Sequence, residues 1–312
     1  MNPKLGVILK LESTYYHKTI RKHVETVING TVNSLKFTPD GKYIVCGSRH
    51  YVEIWNIESG SLIRRIKATT STFSRVNDVA VSPDGQYIIT GIETARMKVW
   101  VFSSGNLVWE DKTIGAILKV DVSTDGKFVV GVVNGRKTRI WDLVTGELIE
   151  KFKSHSNCST LVLSSDNKYI IFGGWMKKIL IWEIASRTIV RELKTKKLGD
   201  IFSLAITPDM KYVISGSRNK LLRVWDFSTG ELINTLEGHT GIVYSVALSL
   251  DGKSIISGSS DKTVKIWDLT SGQLNRTLTG HKAEVNEVAV SPDGKYIASG
   301  SSDYTIKIWD FS

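Results

Sequence analysis

Eight, five and three residues before each of seven aspartates, Asp40, Asp84, Asp125, Asp166, Asp209, Asp251 and Asp293, the side chain is apolar or cysteine. In the first unit these are Val32, Leu35 and Phe37, and in the last Val285, Val288 and Val290. A short apolar run that stops at turn residues predicts a buried strand. The turn is explicit as Pro-Asp-Gly at Pro39–Gly41, Pro83–Gly85 and Pro292–Gly294. Proline presets its own φ and glycine tolerates a positive one, so a hairpin is expected, with second strands at Tyr43–Val45, Tyr87–Ile89 and Tyr296–Ala298. A glycine-containing loop then leads to a third strand ending in tryptophan. Turns such as Asp-Leu-Thr-Ser-Gly and Asp-Phe-Ser-Thr-Gly follow it and open a fourth strand, as at Leu232–Leu236.

The tryptophans Trp55, Trp100, Trp141, Trp182, Trp225, Trp267 and Trp309 recur at intervals of 45, 41, 41, 43, 42 and 42 residues, each 15 or 16 residues after its turn aspartate. One four-stranded unit of this size cannot bury both of its faces, so the units must stack on one another. Trp-Asp stands at 141–142, 225–226, 267–268 and 309–310, and Gly-His at 238–239 and 280–281. With these motifs the chain resembles the WD-repeat family over about residues 15–312, although three units read Trp55-Asn56, Trp100-Val101 and Trp182-Glu183. The resemblance implies an all-β fold, a seven-bladed β-propeller of four-stranded antiparallel blades, with residues 1–312 as one domain. The last unit stops in its third strand. Asn234–His239 aligns with Lys18–His23, so residues 15–23 are expected to supply the missing outer strand and to cover an otherwise open sheet edge. On that alignment the loop from His23 to Asp40 is five residues longer than the one from His239 to Asp251.

Composition narrows the class without naming a partner. At 41% hydrophobic and 23% charged residues, the chain can bury a large core and is too apolar for disorder. No stretch reaches the 18 or so apolar residues of a membrane span, and Lys10 and Glu12 interrupt the start, so a cytoplasmic protein with no membrane partner is expected. Cys46 and Cys158 are too far apart for a zinc pair and read as buried small hydrophobes. The net charge of +10 keeps anionic partners, RNA or DNA among them, in view.

The last two units carry His239, Ser257, Asp261 and Trp267, and His281, Ser299, Asp303 and Trp309, at matched positions. A Ser-His-Asp set invites a hydrolase reading. A catalytic constellation is needed once, however, and these sets repeat; the family resemblance implies a structural hydrogen-bonded tetrad in each. Earlier units weaken it: the fifth keeps Ser215 and Trp225 but has Asn219 and Lys197, the fourth has His155 with Phe172 and Met176, and the first three lack it. No histidine or cysteine pair has ligand spacing and no nucleotide-binding glycine motif opens a helix, so no metal, cofactor or catalytic site is expected.

What remains is surface recognition. The resemblance implies that three positions per unit face the side where the family commonly binds peptides: nine and seven residues before the turn aspartate, and the residue before the tetrad aspartate. On units three to six these positions hold Leu118, Trp175, Phe202, Arg218, Ile242 and Tyr244, whereas units one, two and seven offer mostly Asn, Glu and Thr. Large apolar residues with arginine on a loop face mark interaction sites. The expected function is a non-catalytic scaffold that binds a protein or peptide through this sector. The alternative is a nucleic-acid-binding propeller, motivated by the net charge and by Lys177, Lys178, Lys194, Lys196 and Lys197 near the same face.

Overall fold

The computed structural model describes residues 24–311 apart from 29, 95, 113–114, 135–136, 154–156, 176 and 196–197. Seven four-stranded antiparallel sheets follow one another along these residues, and their first strands meet in sequence around a ring that closes from the seventh back to the first. Blade 1 is Ser34–Phe37, Tyr43–Gly47, Tyr51–Asn56 and Leu62–Lys67 from the inside out. The apolar ladder read from the sequence lies in the first strands or, at Val32, just before one: Val32, Leu35, Val76, Val79, Val243, Val246, Val285 and Val288 are all buried.

Each hairpin turn is held by its aspartate. A hydroxyl two residues earlier donates to the carboxylate, as from Ser249 to Asp251 at 2.6 Å and Thr207 to Asp209 at 2.6 Å, and the backbone N–H two residues later donates to the same oxygen. A side chain that ties down its own turn in this way is the reason for aspartate here. Gly41, Gly85, Gly252 and Gly294 follow with φ near +70°, a conformation that side chains with a Cβ rarely adopt.

Blades join through a second glycine. Gly47, Gly91, Gly173, Gly216, Gly258 and Gly300 lie in second strands, and a β-branched residue of the next blade packs against each: Val76, Ile117, Ile201, Val243, Val285 and, across the ring closure, Val32. A Cβ at Gly216 or Gly258 would come within 2.7 Å of a valine methyl. The core is accordingly shared between blades: one cluster unites Val45, Val52, Ile54 and Ile66 of blade 1 with Val76, Val79, Ile88 and Trp100 of blade 2.

The closure between blades 7 and 1 has further fastenings. Lys36 Nζ meets Glu287 Oε1 at 3.0 Å, and Asn286 Nδ2 donates to the Val32 carbonyl at 2.9 Å. The outer strand of blade 7 is Val24–Val27, paired with Thr305–Asp310 so that Thr26 lies opposite Ile306. Residues 15–23, which the alignment nominates for this place, lie outside the described residues. Thr26 takes the register position that Leu278 holds opposite Val264 in blade 6. It precedes Asp40 by 14 residues, close to the 15 between Leu278 and Asp293, so the five-residue insertion implied by the alignment is not needed.

Because the glycine contact leaves no room for a methyl, Gly216→Ala and Gly258→Ala are expected to lower unfolding free energy by about 1–3 kcal/mol each in urea titrations. Unchanged midpoints in both variants would show that the blades do not depend on this close approach.

Candidate interaction face

One face of the ring is built from the loops between second and third strands and those leading into first strands. In six blades a backbone bond ties the two together: the N–H of Glu93, Asn134, Trp175, Arg218, Ser260 and Ser302 donates to the carbonyl of Arg75, Ala116, Asn157, Asp200, Ile242 and Glu284. Two of the three position sets read from the sequence are therefore paired residue by residue on this face. The third set lies two residues further along the chain and divides into two sectors.

On blades 7, 1 and 2 that third position is asparagine, and each amide is used between blades. Asn286, Asn33 and Asn77 donate through Nδ2 to the carbonyls of Val32, Val76 and Ile117 at 2.9, 2.8 and 2.8 Å. On blades 3 to 6 the same position holds Leu118, Ser159, Phe202 and Tyr244, which replaces the amide by apolar or hydroxyl groups. Phe202 and Tyr244 meet edge to face with centroids 5.4 Å apart, and both are partly exposed, as are Leu118 and Ile242. Burial, with Glu284 nearby, raises the Tyr244 hydroxyl above its ordinary pKa against the opposing pull of Arg218. Arg218 itself reaches Asp200 at 3.3 Å while remaining exposed, and the Ile242 N–H is fixed by the Ser260 hydroxyl at 2.7 Å. Trp175 is 53% exposed, on a loop anchored by Gly174 at φ +156°. Among the described residues it makes no ring contact with Phe202 or Tyr244, so the sector is an aromatic pair with an indole apart from it rather than one stack. Of the lysines near this face, Lys178 and Lys194 both approach Glu192, at 3.4 and 3.9 Å, and Lys196 and Lys197 lie outside the described residues.

A second feature of the face was not anticipated. Between blades 7, 1 and 2 a groove of about 350 Å³ is lined by Arg49, Phe73, Arg75, Glu93 and Tyr304, with Phe73 93% exposed. The signal that could have found it is the first tryptophan interval, 45 residues against 41 to 43 elsewhere, because the extra residues fall in the loop that carries Phe73.

The histidine sets are single hydrogen-bonded chains within blades 6 and 7. Trp267 Nε1 donates to Ser257 Oγ at 2.8 Å, Ser257 lies 2.8 Å from His239 Nε2, and His239 Nδ1 lies 2.7 Å from Asp261 Oδ2. The corresponding distances from Trp309 through Ser299 and His281 to Asp303 are 2.7, 2.7 and 2.9 Å. A neutral imidazole with its proton on Nδ1 gives every donor one acceptor: Nδ1–H to the carboxylate, and the serine hydroxyl to Nε2. Ser257, Ser299 and both imidazoles are buried, so these hydroxyls face packed protein rather than a cleft. Burial alone would raise the Asp261 and Asp303 carboxyls, but hydrogen bonds from His239 and Thr263, and from His281 and Thr305, hold them far below the ordinary aspartate range.

Earlier blades satisfy the indole differently. Trp225 donates to Ser215 at 3.0 Å and Trp100 to Thr90 at 3.1 Å, partial versions of the same chain. In blade 3, Trp141 turns outward to Asp111 at 2.7 Å, which also accepts from Arg139 at 3.2 Å. His155, Met176 and Lys197, which figure in the sequence comparison of these blades, lie outside the described residues.

Residues 187–226, 230–268 and 272–310 match the family described as WD domain, G-beta repeat. Each match runs from an outer strand to the next blade's Trp-Asp, and the same unit builds all seven blades. The chain is a seven-bladed β-propeller with WD repeats at these three positions. Residues 9–120 also match the family described as Eukaryotic translation initiation factor eIF2A. No curated protein matches the chain.

Asp261→Ala strands the buried His239 and removes the carboxylate that also accepts from the Thr240 N–H, so a loss of about 2–4 kcal/mol is expected in urea titrations. Glu93→Ala removes only an exposed pair with Arg75 and should stay within about 0.5 kcal/mol. Because the folded carboxyl titrates below its unfolded value, the Asp261 contribution is complete above the ordinary carboxylate range and disappears as pH falls through the lower folded value. Wild type and Asp261→Ala should therefore converge in stability on acidification. A gap that stayed constant with pH would refute the carboxylate's role.

Proposed function

We propose that this protein is a non-catalytic, cytoplasmic interaction scaffold that binds a peptide or protein segment on the loop face of blades 3 to 6, within an assembly concerned with translation initiation. The observation that carries the site is the change of chemistry around one ring of equivalent positions. Where Asn33, Asn77 and Asn286 hold neighbouring blades together, Phe202 and Tyr244 form an aromatic pair, with Trp175 and Arg218 exposed on the adjoining loops. Apolar and aromatic groups on a rigid loop face lower the ordering cost of binding, and Trp, Tyr and Arg are the usual energetic anchors. The scaffold role is supported by the WD-repeat architecture and by the burial of both Ser-His-Asp sets. The link to translation initiation is supported by the match over residues 9–120.

Covering the exposed half of the Trp175 indole is worth about 3 kcal/mol gross at roughly 25 cal/mol per Å². With a partner purified from cell extract on the intact protein, Trp175→Ala, Phe202→Ala and Tyr244→Ala are each expected to weaken calorimetric affinity by about 2 kcal/mol, roughly thirtyfold. Arg49→Ala and Glu93→Ala on the opposite sector should change it by less than about 1 kcal/mol. All five variants must melt near wild type. Equal losses in the two sectors, or normal binding by the three aromatic variants, would remove the site from blades 3 to 6.

A further inference from the structure

The outer strands of blades 1, 2 and 3, Leu62–Lys67, Leu107–Lys112 and Leu148–Lys153, all end on lysine at the rim of the loop face. Register defines the position: it is five residues beyond the residue opposite each blade's tryptophan, Leu62, Leu107 and Leu148. Blade 4 repeats it with Lys194, whereas blades 5 and 6 have Glu237 and Thr279 there. At this register position lysine is thus confined to one arc of the ring. Third-strand partners reinforce it: Arg96 is opposite Lys112, Lys137 opposite Lys153, and Arg139 opposite Lys151.

The carboxylates within reach are engaged by other groups. Glu110 is taken by Arg96 and Lys98, Asp111 by Arg139 and Trp141, Glu150 by Arg187, and Glu192 by Lys178 and Lys194. Lys67, Lys112, Lys137 and Lys151 are exposed and make no ion pair among the described residues. By contrast, the lysines of the opposite face, such as Lys127 and Lys295, each stand two residues from a turn aspartate that they approach at 3.2 and 3.5 Å.

We propose that this basic arc on blades 1 to 3 binds the phosphate backbone of a single-stranded nucleic acid. Point-charge ammonium groups on strand ends suit phosphates, which demand no directional base contact. The arc follows the curved edge of the ring and offers no helix to enter a groove. A duplex, with a persistence length of about 50 nm, does not follow such a curve, whereas a flexible single strand does. The arc lies on different blades from Phe202 and Tyr244, so the two surfaces can be tested separately.

The test is fluorescence anisotropy of the intact protein with labelled oligouridylate, oligodeoxythymidylate and a duplex, at about 50 and about 200 mM salt. Wild type should bind both single strands, with affinity falling by about 0.7 logarithmic units per tenfold salt for each phosphate engaged. The quadruple variant Lys67→Gln, Lys112→Gln, Lys137→Gln and Lys151→Gln should lose about tenfold or more at the lower salt and flatten that slope by about 2 to 3. Changing Lys42, Lys211, Lys253 and Lys295 to Gln removes the same charge from the opposite face and should leave binding within about twofold. Phe202→Ala should not change it either. Preference for the ribo-oligomer would identify RNA, and equal affinity would identify the phosphate alone; both support the arc. Absence of wild-type binding, equal losses in the two quadruple variants, or a duplex bound as tightly as the single strands would overturn the proposal.

Discussion

The ring depends on a missing side chain. Each second strand of six blades has a glycine where the next blade presses a valine or isoleucine, at or just before its first strand, against the backbone, and the last of these contacts, Gly300 with Val32, closes the circle. Hydrophobic burial drives a blade to seek a neighbour, but it does not specify how closely two sheets approach. The glycine does, because its Cα admits the branched side chain to a depth at which both sheets pack at interior density. That depth also brings the loops of successive blades into a continuous face.

Within that frame the polar chemistry is graded along the chain. Blades 6 and 7 bind their loops to their sheets through the buried Trp-Ser-His-Asp chain, whereas blades 2 and 5 share with it the indole-to-hydroxyl bond and blade 3 directs its indole to Asp111. Loops released from the histidine network carry other groups: lysines at the outer rim of blades 1 to 4, Trp175 on blade 4 and Arg218 on blade 5. Two surfaces with different demands can share one ring in this way, since an aromatic contact is nearly indifferent to salt and a phosphate contact is not.

Much of this architecture was legible in the sequence, for physical reasons that differ between elements. The turn aspartates and tryptophans recur because each has a fixed task in every blade, so two ladders in register reveal the repeat even where Trp-Asp has become Trp-Val or Trp-Glu. The paired loop positions of the interaction face follow from the same register. The outer strand of blade 7 was harder, because it is contributed from the other end of the chain and has no ladder residue of its own; an alignment on Lys18–His23 points to 15–23, and the strand in the structure is Val24–Val27. The task of Asn33, Asn77 and Asn286 was also hidden. An asparagine on a loop face looks the same in sequence whether its amide meets water or a carbonyl some 40 residues away. Phe73 was concealed in the lengthened first interval, and the rim lysines separate from other charges only when strand register places them across from one another.

Recognition on the loop face of blades 3 to 6, as proposed, can be read by hydrogen–deuterium exchange of the protein with and without its purified partner. The backbone amides of Trp175, Arg218 and Ser260 close the loops of that sector, and those of Glu93 and Ser302 close the equivalent loops opposite. Binding through the aromatic sector predicts slowed exchange across loop segments 157–159, 173–175, 200–202, 216–218 and 242–244, with segments 72–75 and 91–93 unchanged. Protection confined to the Phe73 groove, or to the opposite face of the ring, would contradict it.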